Sequence, residues 1–340
     1  SINYDIIQFG VIMKTIFDYL KNNNDELKET NFTAVDALIL ARISYLPLQH
    51  LLKKDEKKPL IELFEILTCF RDEFFVVEDD RKFVNFLLKN KRFSKCMLSY
   101  CVNEVDTTDC MQFGAVLIDI GFAKYVSFKG TDRSLVGIKE DLDMSYKEIP
   151  AQKKALKYLE NILAKTEGKF IVGGHSKGGN MAIYSCIYLD PEDKKRIMKI
   201  YNFDGPGFLQ TVLDEEGYIE ILDKIETILP TSAFIGLLLE RKEKVKIVNS
   251  DSFFVMQHDI YSWEVKGKDF TYLKSLTNIS KTMNKSIDIW LKEISKEERM
   301  EFIDKLYTLA KEKKIKNIKE LDLRLVSKLF NTVIKNIKFR

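Results

Sequence analysis

Apolar positions in the first hundred residues recur at intervals of three and four, the spacing that gives a helix one buried face. Phe32–Ile43 is a run of good helix formers, Leu60–Leu67 and Phe83–Leu88 repeat the pattern, and no strand-turn-strand signal interrupts them. Near residue 111 the texture changes. Met111–Ile118 is a compact apolar run, Asp119-Ile120-Gly121 reads as a turn and Ala123–Phe128 as a second short strand, so a sheet is expected to begin there. After Pro150, a favourable helix start, the chain alternates. Helix Ala151–Lys165 is followed by strand Lys169–Val172, a glycine-rich turn, a helix over about Gly179–Leu189 and strand Ile197–Phe203, with further strands at Ile225–Leu229 and Lys244–Val248. This alternation predicts a mostly parallel sheet with right-handed crossovers. The last seventy residues are helical again: Ser295 and Glu298 form a capping box ahead of Met300, Ile303, Leu306, Tyr307 and Ala310, and a final helix is expected over Ile318–Ile337. The predicted organisation is a helical N-terminal region (1–105), an α/β core (106–270) and a helical C-terminal region (271–340).

Composition narrows the class of protein. With 340 residues, 45% of them apolar and 31% charged, and only 15 Gly and 6 Pro, the chain is globular and is neither disordered nor fibrous. Its 54 basic and 51 acidic residues leave a net charge of +3, which gives no reason to expect nucleic acid as a partner. No apolar run approaches the ~18 residues of a spanning helix. Ile6–Met13 has neither a basic region before it nor a small-residue cleavage site after it, so it does not read as a secretory signal. Five scattered cysteines without a C-x-x-C pair fit reduced thiols, and the expected location is the cytoplasm. Charge matters locally: residues 311–340 hold ten Lys/Arg against three Asp/Glu, a net +7, with Leu321, Leu325, Leu329 and Val333 recurring every four residues. Such an amphipathic helix either packs on the core with its charged face in solvent or makes peripheral contact with an anionic membrane.

The stretch richest in chemistry is Phe170-Ile171-Val172-Gly173-Gly174-His175-Ser176-Lys177-Gly178-Gly179. Gly174-His175-Ser176-Lys177-Gly178 is a G-x-S-x-G pentapeptide between a predicted strand and a predicted helix, the context of a nucleophile elbow; the alternative is a tight glycine-rich turn with a chance serine. A serine needs a base to take its proton, and the chain has three histidines: His50, His175 and His258. His50 precedes the sheet, and His175 adjoins the serine with its side chain expected to point elsewhere. His258 alone follows the serine, as the order Ser, acid, His requires. Asp204, ending the strand Ile197–Phe203 ahead of Gly205-Pro206-Gly207, is the candidate acid, because catalytic groups gather at the carboxyl ends of parallel strands; Asp251 and Asp259 are its rivals. The N–H of Lys177 is one candidate oxyanion donor. Thr131, in Phe128-Lys129-Gly130-Thr131-Asp132, is the second, by its N–H and its hydroxyl, although an ordinary Asx turn also explains that loop. Thr231–Leu239 is unusually apolar for a connection, and Phe234 and Leu238 are candidate walls of an acyl pocket, the alternative being a core helix.

Taken together, Phe-Lys-Gly-Thr-Asp (128–132), Val-Gly-Ile-Lys-Glu-Asp (136–141), Gly-His-Ser-Lys-Gly-Gly (174–179), Asn-Phe-Asp-Gly-Pro-Gly (202–207) and Met-Gln-His-Asp (256–259) resemble the bacterial Mbeg-like family of α/β-hydrolases, from about Val35 to Val265. The first and third blocks are more distantly similar to the oxyanion loop and elbow of fungal-type triglyceride lipases, a likeness that implies Thr131 as an oxyanion donor. Two positions depart from these patterns: Ile138 stands where relatives tend to carry tryptophan, and the fungal lipases hold their acid on the following strand. The resemblance implies an α/β-hydrolase fold and acyl transfer without naming a substrate.

The resulting expectation is a serine-dependent carboxylic ester hydrolase cleaving a small-molecule or lipid acyl ester or thioester. No metal or organic cofactor is implied, because His and Cys are dispersed. The rival from another class is a non-catalytic hydrolase-fold scaffold whose helical flanks form the working surface.

Overall fold

The computed structural model of the chain describes residues 13–53, 55–132, 134–252, 254–278, 282 and 293–312. Eleven strands occur among them: β1 (Lys57–Pro59), β2 (Met97–Asp106), β3 (Met111–Asp119), β4 (Lys124–Phe128), β5 (Phe170–His175), β6 (Ile197–Phe203), β7 (Ile225–Pro230), β8 (Val245–Val248), β9 (Val265–Lys266), β10 (Asp269–Phe270) and β11 (Tyr272–Leu273). All but the β9–β10 hairpin join one sheet in the order β1-β2-β3-β4-β5-β6-β7-β8-β11. Strands β4 to β8 are parallel, while β1 to β4 and the β8–β11 pair are antiparallel.

The sheet therefore begins upstream of Met111, where the helical pattern gave no warning of it, and residue 105 lies inside β2. Two features hide β2 from a period-2 reading. Its register shifts between Ser99 and Val102, and Tyr100 takes φ 51°, so the alternation of faces breaks in mid-strand.

Alternation along the central strands sorts the two cores. Val116, Ile118, Tyr125 and Ile171 face one side, where they pack against α1 (Ile16–Asn22), α2 (Ala34–Ile43), α3 (Leu60–Leu67) and α4 (Asp79–Lys89). Ala115, Leu117, Val126 and Val172 face the other, with α6 (Pro150–Lys165) and α7 (Lys177–Ile187), after α5 (Leu135–Asp143) has connected the sheet to that layer. The result is a three-layer α/β sandwich whose parallel strands are covered on both faces, as parallel strands require. Every residue of α2 is buried, and its two charged side chains are paired: Asp36 with Arg92 (2.8 Å) and Arg42 with Asp80 (2.7 Å).

The expected capping box near residue 295 is present. Ser295 N–H donates to Glu298 (2.9 Å) and Glu298 N–H to Ser295 Oγ (3.2 Å), at the start of helix Lys296–Glu312. That helix rests on the α5 side of the molecule through Phe302 and Ile303 against Tyr146, and Arg299 donates to the Ser145 carbonyl (2.6 Å). The basic helix expected over Ile318–Ile337 lies outside the described residues. Among the described residues no helix is long and apolar enough to cross a membrane.

Candidate active site

Strand β5 ends at His175 and α7 opens at Lys177, which leaves Ser176 alone between them at φ 59°, ψ −134°. A non-glycine residue in such a region costs on the order of 1–3 kcal/mol and persists only where its surroundings impose it. Here they do. Ser176 N–H donates to the Phe203 carbonyl (2.9 Å), and the Ser176 carbonyl accepts from Gly179 N–H (2.9 Å). The flanking glycines allow this approach: a Cβ on Gly174 would overlap the Gly178 backbone, and one on Gly178 would overlap the Phe128 carbonyl. The G-x-S-x-G spacing is thus a record of three strands' worth of backbone meeting at one point.

Register brings the other candidates to the same edge. Gly174 pairs with Phe128 on one side and Asn202 on the other, so the loop after β4, the Ser176 turn and Asp204 after β6 leave neighbouring strands side by side. Asp204 is buried and takes φ 51°, a left-handed conformation that Asp tolerates better than most residues. Its Oδ2 lies 2.6 Å from His258 Nδ1, and its Oδ1 accepts the Gly236 N–H (3.1 Å). The rivals are elsewhere: Asp259 receives the Tyr261 N–H (3.2 Å), and Asp251 is exposed, with Ser252 Oγ near its carboxylate (3.5 Å). His258 closes the 3-10 turn Phe254–His258, a loop held from outside by Trp263 Nε1 donating to the Gln257 carbonyl (2.8 Å) and Ser232 N–H donating to Gln257 Oε1 (2.6 Å).

Thr131 sits in the loop beyond β4, but its hydroxyl is engaged. Oγ1 donates to Asp141 Oδ2 (2.6 Å), which leaves the backbone N–H as the group the loop can offer an oxyanion. Burial pushes the Asp141 carboxyl up to about 6, the nearby Lys177 ammonium and the Thr131 hydroxyl opposing the shift. A third of that side chain's surface meets solvent, yet Oδ1 itself is shut off and has no hydrogen-bond partner. Lys177 stands at the first position of α7, where helix N–H groups lack intrahelical acceptors. Its side chain runs inward and spends all three ammonium donors, on Glu140 Oε2 (2.6 Å), the Gln112 carbonyl (3.0 Å) and Gln112 Oε1 (3.1 Å).

The apolar connection Thr231–Leu239 is not a core helix. It carries one 3-10 turn, Ile235–Leu237, with Phe234 and Leu238 half-buried on either side of it. Its backbone meets Asp204 directly through the Gly236 N–H, and its Leu238 carbonyl accepts the Gly207 N–H (2.7 Å) from the turn that follows Asp204.

Sequence reasoning missed the residues behind these. Asp141 and Glu140 fall in the Val136–Asp141 block, which signalled importance without a role. Tyr45 left no signal at all. His175, expected to point elsewhere than the serine, turns its ring toward Tyr45 and the His258 main chain, partners with no pattern in the sequence.

Comparison with known proteins gives three findings. No match was found among curated proteins. Among solved structures, one similar chain is described as a triacylglycerol lipase whose catalytic centre is formed by a serine protease triad; identity is 14%, TM-score 0.27, and the match covers 41% of this chain and 62% of the lipase, less than two thirds of its length. The Mbeg1-like family matches residues 87–308, a span from the end of α4 to the helix Lys296–Glu312 that takes in every candidate site residue and well over half of the sequence, and the chain belongs to that family.

Proposed function

We propose that the protein is a serine hydrolase that cleaves an acyl ester or thioester by way of an acyl-enzyme. The observation that carries this reading is the 2.6 Å contact between the buried Asp204 carboxylate and His258 Nδ1, at the strand edge where Ser176 is held in its forced turn. A carboxylate only accepts, so His258 keeps a proton on Nδ1 and presents Nε2 as a base. Ser176 Oγ attacks the acyl carbonyl carbon while His258 Nε2 takes its proton, and the oxyanion forms toward the N–H groups of Lys177 and Thr131. The imidazolium then gives that proton to the leaving alcohol or thiol as the carbon–heteroatom bond breaks. Water repeats the sequence to release the acid and restore Ser176.

Phe234 and Leu238 are offered as part of the acyl-binding wall, and a small-molecule or lipid ester as substrate. The test is labelling by a fluorophosphonate, followed by turnover of p-nitrophenyl esters. Wild-type chain is expected to label at Ser176. Ser176→Ala and His258→Ala are expected to lose turnover by several orders of magnitude and Asp204→Asn by about 10⁴. Absence of labelling in a folded wild-type chain would remove the reading.

A further inference from the structure

The His175 ring bridges two parts of the molecule that are far apart in sequence. Its Nε2 lies 2.9 Å from the carbonyl oxygen of His258, and its Nδ1 lies 3.2 Å from the hydroxyl of Tyr45, which follows α2 in the N-terminal helical layer. A carbonyl oxygen can only accept, so the proton of the neutral ring is on Nε2 and Nδ1 is an acceptor. Tyr45 Oη is also 3.1 Å from the carbonyl of His175 itself, so both acceptors before it belong to the same residue. Space around the hydroxyl is tight: a Cβ on Gly130, in the candidate oxyanion loop, would overlap Tyr45 Oη and the His175 carbonyl. The phenol therefore sits where the elbow, the oxyanion loop and the helical layer meet.

Burial keeps this ring neutral. His175 is buried, and burial, reinforced by the Arg42 guanidinium and by His258 whenever that ring carries a second proton, holds its pKa well below the usual histidine value. The groups that face it are Tyr45 and Arg42 from the N-terminal layer and His258, whose ring centroid is 4.4 Å away. Arg42 lies 4.4 Å from the centre of the Tyr45 ring and is itself fixed by both oxygens of Asp80. On the far side of the base, Tyr261 donates to the same Asp80 (2.7 Å). The His258 carbonyl and, three residues on, the Tyr261 side chain are thus both tied to the N-terminal layer, the first of them through His175.

Resting on the hydrolase reading above, we propose that His175 is a positioning residue for His258, kept in its Nε2–H form by Tyr45, so that the N-terminal helical layer sets where the base stands. Only the Nε2–H form can donate to the His258 carbonyl. Loss of that bond would free the main chain that aims the imidazole, and misplacement of a reacting group by about 1 Å can cost on the order of 10²-fold in rate.

The experiment uses the full chain with ¹⁵N-labelled histidine, which gives three ring systems to assign because the sequence has three histidines. Wild type is expected to show His175 neutral and protonated on Nε2 at the ordinary histidine midpoint near pH 6.5 and well below it. His175→Leu is expected to lower kcat on a p-nitrophenyl ester, and the rate of fluorophosphonate labelling, roughly 10- to 100-fold with KM within about twofold. His175→Gln, whose amide N–H can reach the same carbonyl, is expected to recover most of that loss. Tyr45→Phe is expected to lose less and to show mixed tautomers at His175. A His175 ring protonated on Nδ1, or titrating near the ordinary value, overturns the proposal, as does an active wild type with undiminished kcat in folded His175→Leu. A wild-type chain that neither labels nor hydrolyses removes the base to be positioned and overturns the hydrolase reading as well, so the two failures are told apart.

Discussion

The Lys177 side chain allows a prediction of stability worked from geometry. Its ammonium and the Glu140 carboxylate are 2.6 Å apart with side chains 1% exposed on both sides, and every hydrogen-bonding group of the pair is used: Lys177 also donates twice to Gln112, and Glu140 accepts the N–H groups of Gln112 (3.0 Å) and Ala151 (3.0 Å). Removing one partner of such a buried pair leaves a charge without its counter-ion and typically costs about 3–5 kcal/mol. Lys177→Met keeps the length and apolar stem of the side chain, so lost packing adds little and the electrostatic loss should dominate. Equilibrium unfolding in urea is the assay, with the midpoint lowered and the slope unchanged if only the native state is affected. Two controls make the result interpretable. Lys195→Met breaks the ion pair of Lys195 with Glu192, whose side chains are 69% and 84% exposed, and should change stability by less than about 0.5 kcal/mol. Lys177→Met combined with Glu140→Gln should be less destabilised than the sum of the two single variants by at least about 1 kcal/mol, since the buried carboxylate no longer needs its cation. A loss below about 1 kcal/mol in Lys177→Met, or strict additivity in the double variant, would refute the assignment of a buried, mutually dependent pair.

Three other outcomes are expected. If the proposed hydrolase reading holds, Phe234→Ala and Leu238→Ala should shift the preference of the folded chain among p-nitrophenyl esters toward a different chain length; an unchanged profile leaves the pocket role without support. Because the folded His175 ring has its pKa well below 6.5, the unfolded chain binds a proton that the folded chain refuses as pH falls below about 6.5, so stability is present above that value and lost beneath it. Between about pH 7.5 and 5.5 the unfolding free energy of wild type should therefore fall more than that of His175→Gln, by up to about 1.4 kcal/mol per pH unit, and parallel curves would contradict the neutral ring. Finally, the net +7 of residues 311–340 predicts co-sedimentation with anionic vesicles at low salt and release at physiological salt, at about 1 kcal/mol per basic residue near the surface; failure to pellet at low salt ends that proposal.

What the sequence made legible was what leaves a local trace. Strands β5, β6, β7 and β8 are short apolar runs between turns, and each lies within a residue or a few of its expected position. The elbow is legible because close approach of backbones demands glycine at fixed offsets, and Gly174 and Gly178 supply it. Asp204 and His258 emerge from order along the chain and from the scarcity of histidines. Their 2.6 Å contact, by contrast, depends on a left-handed residue after β6 and a 3-10 turn 54 residues later, and neither has a pattern to read. The Thr131 hydroxyl is a case of chemistry anticipated and then redirected, since nothing in Phe128–Asp132 says that a carboxylate on the following helix will accept its hydrogen bond.

The division at residue 105 fails as an energetic boundary for a related reason. Helical periodicity shows that the N-terminal segment has an apolar face; it cannot show what that face covers. In the structure it covers the sheet. Tyr125 Oη donates to the Ala37 carbonyl (2.9 Å) and Ser127 Oγ to the Ala41 carbonyl (3.1 Å), so the sheet uses main-chain acceptors of α2 to satisfy its own buried hydroxyls. Val116, Ile118, Tyr125, Ile171, Tyr201, Phe203, Ile228 and Val248 belong to the cluster sealed by those helices. At about 1.5–3 kcal/mol for each large apolar side chain buried, exposing these eight would forfeit an amount comparable to or above the roughly 5–15 kcal/mol by which a domain is stable at all. A chain whose parallel strands must be covered on both faces has no α/β core separable from its helical flank, and the hydroxyl of Tyr45 reaches the candidate site because the layer that carries it was never a separate unit.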